Sequence, residues 1–362
     1  MKLSSCLVPL AWGCALFMAC GGSTTTIDPE ADAGGSSSGA SGGSSSGTNS
    51  SSGTNSSSGT SSTSSTSGAP VDGGSSSGAS SGTPAQCAGK TAPAKANDEW
   101  TLMVKGEART VRVHVPASYK AASPTPLVLN FHGYTSSATE QETWSKMIEK
   151  SDKEGFIVLH PQGTGLLKGW NAGACCGDAQ TKKVDDVGFT KAMLDEAEKR
   201  FCIDTKRVYS AGMSNGGFMS YRLACEMSDR IAAIAPVAGL STVAPCTPGR
   251  PVPVMHFHGT ADNVVPYNGG GLAGYPKAAD SIAAWAAINQ CTGAPVETFN
   301  KGDARCVTHK TCAGGAEVTF CTLTGGGHTW PGGTPVPILG TTNKDISATD
   351  AMWDFFKAHP LP

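Results

Sequence analysis

Hydrophobic positions divide the second part of the chain into short apolar runs separated by segments with apolar residues every three to four positions. Residues 100–104 and 110–115 alternate around Lys105-Gly106-Glu107, which predicts a β-hairpin. The run 126–131 is apolar apart from Asn130 and predicts a buried strand leading into His132-Gly133-Tyr134-Thr135. Ser137 with Glu140 three residues later forms a capping box, and Trp144, Met147 and Ile148 give the following helix an apolar face. Residues 156–159 predict the next buried strand, ending at His160-Pro161-Gln162-Gly163.

A Gly- and Cys-rich loop over 164–184 contains Trp170. Asp185 and Asp186 then open a helix to about Arg200, with Phe189, Met193 and Ala197 on its core face. Acidic residues at a helix N-terminus are explained first by the macrodipole. Further strands are expected over 231–237, 252–257, 296–299, 305–309 and 317–323. Helices are expected over 277–289, carrying Trp285, and over 347–357, with Met352, Phe355 and Phe356 inward. Strands alternating with helices predict an α/β domain whose mainly parallel central sheet has helices on both faces.

The stretch 207–221 concentrates the chemistry. Val208, Tyr209 and Ala211 read as the end of a buried strand, Gly212-Met213-Ser214-Asn215-Gly216 as a Gly-x-Ser-x-Gly turn, and 215–227 as a helix. Phe218, Tyr221 and Cys225 share one face of that helix. Strand, sharp turn and helix describe a nucleophile elbow, with Ser214 lifted above the sheet. The pattern alone carries little, since it recurs around Ser37, Ser41, Ser45, Ser76 and Ser80 with no flanking strand or helix. Context singles out Ser214.

A serine needs a base, and the base an orienting acid. Both should follow strands, in the chain order Ser, Asp, His. Asp262 follows the 252–257 strand in His256-Phe257-His258-Gly259-Thr260-Ala261-Asp262 and is the candidate acid; Asp280 and Asp303 follow no core strand. His328, in Gly325-Gly326-Gly327-His328-Thr329-Trp330, follows the 317–323 strand and is the candidate base. His256 or His258 reads instead as a packing or hydrogen-bonding group. The oxyanion needs two backbone donors, for which the N–H groups of Asn215 and Tyr134 are the candidates.

Composition separates the N-terminal part of the 362 residues from this domain. Residues 1–20 carry Lys2 and an apolar stretch over 6–18 too short to span a bilayer, and read as an export signal. Phe17-Met18-Ala19-Cys20 resembles a bacterial lipoprotein cleavage box with Cys20 as the lipidated residue; plain secretory cleavage is the alternative. Residues 21–86 are mainly Ser, Gly and Thr, too poor in apolar surface to fold. As a flexible linker they span roughly 45 Å r.m.s.. The catalytic domain is expected over 87–362.

Net charge is −2, which gives no case for nucleic acid, and a membrane contact is expected only through the candidate lipid anchor. Three of the 13 cysteines fall in the signal region, and the even remainder of ten in an exported domain predicts disulfides. For the adjacent Cys175 and Cys176 two separate partners are expected, because a vicinal ring is strained. Cys225 is either a bridge or a buried thiol. No metal site or cofactor is expected.

The segments around Asn130, Trp170–Gly177, 184–189, 201–217, 257–270 and 325–332 resemble the secreted esterases grouped around poly(3-hydroxybutyrate) depolymerases and feruloyl esterases. Cys202-Ile203-Asp204-Thr205 and Gly327-His328-Thr329-Trp330-Pro331 carry most of that likeness. The resemblance implies an α/β-hydrolase fold and a Ser214, Asp262, His328 triad. It also implies an aromatic substrate shelf, for which Trp330 is the candidate, with hydrophobic cover over the histidine loop as the alternative; Trp170 is a second candidate for substrate binding. The expected activity is carboxylic ester hydrolysis by a monomeric, exported enzyme. Feruloyl or acetyl esters of xylan are the first expectation and a hydroxyalkanoate polyester the second. A non-catalytic surface-binding lipoprotein on a hydrolase scaffold is the remaining alternative.

Overall fold

The computed structural model describes residues 84–271 and 273–362. The candidate signal 1–20 with Cys20, and the linker up to residue 83, lie outside the described residues. The hairpin β1 (Asn97–Val104) and β2 (Glu107–His114) is followed by β3 (Thr125–Phe131), α1 (Ala138–Ser145), α2 (Met147–Glu154) and β4 (Ile157–Pro161). Next come α3 (Gly177–Thr181), α4 (Asp186–Arg200), β5 (Ile203–Met213), α5 (Asn215–Glu226), β6 (Ala233–Val237) and β7 (Val254–Gly259). The chain ends with α6 (Ala278–Ile288), β8 (Val296–Lys301), β9 (Ala304–His309), β10 (Val318–Leu323) and α7 (Ala348–Ala358).

The strands form one sheet in the order β1-β2-β4-β3-β5-β6-β7-β10-β9-β8. The centre, from β4 to β10, is parallel, whereas β2 pairs antiparallel with β4 and β9 with β10. Period-two alternation sends Leu127, Leu129 and Phe131 into one core and Val128 into the other. The first core takes its helical side chains from α4, α5 and α6; the second takes them from α2 and α7. On α7, Met352, Phe355 and Phe356 are buried and Trp353 stacks on Phe156 at 4.1 Å.

Two expectations need correction. The helix after Ser137 is broken in two at Lys146, whose φ is 53°. Ser145 explains the break: its Oγ accepts from Met147 N–H and from the Asn130 side chain, so local bonding competes with helix continuation. The cysteine pairing also differs. Cys175 and Cys176 are bonded to each other, and the remaining bridges are Cys87–Cys202, Cys225–Cys246, Cys291–Cys312 and Cys306–Cys321.

Candidate active site

The parallel strands β5, β6, β7 and β10 are neighbours, so the segments leaving their carboxyl ends gather along one edge of the sheet. β5 delivers Ser214 with φ 54° and ψ −124°, a backbone conformation that L-residues seldom occupy. Ser214 N–H is tied to Val237 O at 2.8 Å. Although Ser214 stands at the N-cap of α5, its side chain makes no capping bond, which leaves the hydroxyl free. The flanking glycines are required sterically. A Cβ on Gly212 would meet Gly216 C at 2.6 Å and Phe131 O at 2.8 Å, and one on Gly216 would drive into Phe131 O.

Asp262 and His328 meet as a buried pair. His328 Nδ1 donates to Asp262 Oδ2 at 2.7 Å, and Asp262 Oδ1 accepts from the N–H groups of Val264 (2.8 Å) and Val265 (2.9 Å). Burial pushes the Asp262 carboxyl up, but the bond and charge of His328, the facing His258 and the Val265 N–H outweigh it and hold it below the ordinary carboxylate value. The loop carrying His328 is fixed from both sides, by His328 N–H to Leu339 O (2.7 Å) and Gly327 N–H to Thr341 O (2.9 Å). Among the described residues neither His328 Nε2 nor Ser214 Oγ makes a side-chain hydrogen bond. Such bonds are often long in unliganded sites and tighten with substrate.

The turn after β3 passes against the serine: a Cβ on Gly133 would lie 3.3 Å from Ser214 Cβ. His132 braces this turn. Its Nδ1 faces Gly133 O at 2.7 Å and must donate, so Nε2 accepts from Gly163 N–H at 2.9 Å. Burial lowers its pKa from 6.5 to about 4, against a smaller upward effect of the Gly133 carbonyl. Among the described residues, the N–H groups of Tyr134 and Asn215 are used by no other backbone carbonyl, whereas Thr135 N–H bonds Lys168 O and Ser136 N–H bonds Gly133 O.

The two tryptophans do not form a shelf. Trp170 is wholly buried, with its indole N–H on His132 O at 2.8 Å and its ring edge-on to Phe131. Trp330 is 1% exposed and donates to Thr349 Oγ1 at 2.9 Å, so it covers the histidine loop from within. Their apolar bodies are spent on the core, and their single donors are already used.

Two buried contacts near the site are not anticipated from the sequence, and a third extends the expected hydrogen-bonding role of a histidine on β7. The Asn215 side chain clamps the loop, accepting from Trp170 N–H at 2.7 Å and donating to Trp170 O at 3.1 Å. Asp186 is buried and joins Arg109 Nη2 and Asn171 N–H, each at 2.7 Å, while only Asp185 serves as the helix cap through Gly188 N–H. His256 and His258 are buried and bonded to one another. Their i, i+2 spacing on a strand was the one signal that could have placed both on a single face.

Comparison with known proteins gives this geometry a setting. No family model matches the chain. It is 35% identical over 268 residues to Feruloyl esterase B of Piromyces equi, covering 70% of this chain and 46% of that protein. It is 31% identical over 279 residues to the putative esterase NocK of Nocardia uniformis subsp. tsuyamanensis, covering 70% of this chain and 80% of that protein. The chain belongs to the esterase family that contains feruloyl and acetylxylan esterases. The chain spans about half the length of the first of those relatives. Its fold matches that of an acetyl xylan esterase from Aspergillus awamori, with a TM-score of 0.51 at 14% identity over 72% of this chain and 99% of that one. The sheet and its helical layers have the α/β-hydrolase fold.

Proposed function

We propose that this esterase is a serine carboxylic ester hydrolase in which Ser214, Asp262 and His328 form the triad. The bond from His328 Nδ1 to Asp262 Oδ2, 2.7 Å long and buried, carries the reading, because it leaves Nε2 as the free acceptor at the carboxyl edge of the sheet. Ser214 Oγ attacks the ester carbonyl carbon and its proton passes to Nε2. The N–H groups of Tyr134 and Asn215 hold the oxyanion, and the alcohol leaves with the proton from His328. Water repeats the sequence on the acyl-enzyme and releases the acid.

The substrate we favour is a feruloyl or acetyl ester on xylan, supported by the names of the relatives: a feruloyl esterase, and a bifunctional acetylxylan esterase/xylanase of Neocallimastix patriciarum. Five bridges among the described cysteines support an exported catalytic domain over 87–362. A fluorophosphonate probe tests the chemistry. Labelling lost in Ser214→Ala supports it, and absence of labelling in the native protein overturns it. Release of ferulate from methyl ferulate, or of acetate from acetylated xylan, tests the substrate; clearing of amorphous polyhydroxybutyrate without either overturns the order given.

A further inference from the structure

His256 and His258, which the ester-hydrolysis mechanism leaves unused, form a one-way hydrogen-bond chain from the nucleophile helix to Val265 O, in the turn that holds Asp262. His258 Nε2 lies 2.8 Å from Val265 O. A carbonyl only accepts, so Nε2 carries a proton; burial disfavours the charged ring, which leaves Nδ1 bare. His256 Nε2, 3.0 Å from that Nδ1, must then donate, and His256 Nδ1 accepts from Tyr221 Oη at 2.9 Å. With both rings buried and neutral, these bonds fix the tautomers, each ring carrying one proton.

The chain ends beside the Asp262 carboxylate. His258 Nε2 stands 3.6 Å from Asp262 Oδ2, the oxygen that receives His328. Its bond to Val265 O also pins the turn whose Val264 and Val265 N–H groups hold Oδ1. One imidazole N–H therefore fixes the turn that holds Oδ1 and sets its dipole near Oδ2. Around it lie His256 and Asp262 from β7 and its loop, Tyr221 from α5, His328 from the loop after β10, and the Tyr267 ring at 5.9 Å.

We propose that His258 is a positioning residue for Asp262, held as the neutral Nε2–H tautomer by His256 and Tyr221. The proposal rests on the triad reading above. Burial depresses both histidines, with the Val265 carbonyl and Asp262 opposing this at His258. Neutrality has a use. A cation at His258 would sit beside the one carboxylate that stabilises protonated His328, and would weaken His328 as a base.

The conservative pair His258→Gln and His258→Asn tests this. Glutamine carries an N–H to about the Nε2 position, whereas asparagine reaches only the Nδ1 position. The expected result is that Gln stays within about threefold of the native kcat for p-nitrophenyl acetate, while Asn loses about 10- to 30-fold in kcat with little change in KM. Asn should also move the acidic limb of kcat/KM upward, because Asp262 without the nearby His258 N–H dipole attracts the His328 proton more strongly. Equal losses in both variants with an unmoved limb would overturn the proposal, as would native kcat in His258→Asn.

A measurement on the native protein keeps the test independent of variant folding. Long-range 1H–15N correlation should show Nε2–H tautomers for His256 and His258 at neutral pH; an Nδ1–H tautomer or a charged ring at His258 overturns the assignment. Fluorophosphonate labelling of the same sample separates the two failures. An unlabelled protein with the expected tautomers sinks the triad reading, and a labelled protein with the wrong tautomers sinks this one.

Discussion

The buried pair Arg109–Asp186 offers a test in which removing one charge should do more harm than removing both. Their side chains are 3% and 0% exposed, and Arg109 Nη2 sits 2.7 Å from Asp186 Oδ1. At that separation and an effective dielectric constant near 20, the attraction is roughly 6 kcal/mol. Burial nevertheless pushes the Asp186 carboxyl above its ordinary value, against Arg109 and the Asn171 N–H. Desolvation therefore exceeds the attraction, and the pair contributes little net stability over a neutral replacement.

Asp186→Asn keeps an acceptor for Asn171 N–H but leaves the Arg109 charge without a counterion, in a site where Arg109 Nε already lacks a partner. The expected cost is about 3–5 kcal/mol. Arg109→Met with Asp186→Asn should fall within about 1 kcal/mol of the native protein. The single change Arg109→Met adds a pH signature. Asp186, its folded pKa raised further, binds more protons folded than unfolded, so stability is present at acid pH and lost as pH rises through the folded value. Urea unfolding of the oxidised proteins, followed by tryptophan fluorescence at acidic and at alkaline pH, measures all three. A double variant that loses as much as Asp186→Asn would refute the reasoning.

Three further outcomes are expected. Because folded His132 titrates at about 4 rather than 6.5, the unfolded chain takes up a proton first as pH falls between those values. The His132 share of the unfolding free energy from urea titrations should fall over that range by about 3 kcal/mol at 1.36 kcal/mol per unit. Because buried His160, His256 and His258 are depressed too, His132→Gln should make the slope shallower without abolishing it. Gly216→Ala drives a methyl group into Phe131 O in the sheet and should cost more than about 4 kcal/mol, read as loss of soluble protein or a collapsed urea midpoint. Removing Cys87–Cys202, which closes a separation of 115 residues, should cost about 4.7 kcal/mol, against about 3 kcal/mol for Cys306–Cys321 with a separation of 15; paired Cys→Ser variants in chemical unfolding check the order.

What the sequence disclosed was local or ordered along the chain. Buried strands of period two, the capping box at Ser137, and a serine between strand and helix each need only their neighbours, and the fold class followed from their alternation. The meeting of Asp262 with His328 was legible from chain order, since each directly follows a core strand. What stayed hidden depends on partners far away. Asp186 looks like a helix-terminal charge until Arg109, 77 residues earlier, meets it. Trp170 and Trp330 look like substrate surface until His132 and Thr349 take their indole protons. Pairing of Cys175 with Cys176 ran against the strain expected of a vicinal ring, and nothing in the spacing could replace that expectation.

The Cys87–Cys202 bridge has a mechanical consequence. Tension arriving along the backbone from residue 84 reaches Cys87 ten residues before β1 begins, and crosses covalently to Cys202, next to the first residue of β5. Lys90, bonded to the carbonyls of Glu198 and Lys199, adds a second point of attachment at the same corner. A pull is thus borne by the central strand of the sheet, loaded along its length, instead of peeling the β1–β2 hairpin from the edge. A force entering at residue 84 thus bypasses the hairpin and reaches the strand that presents Ser214.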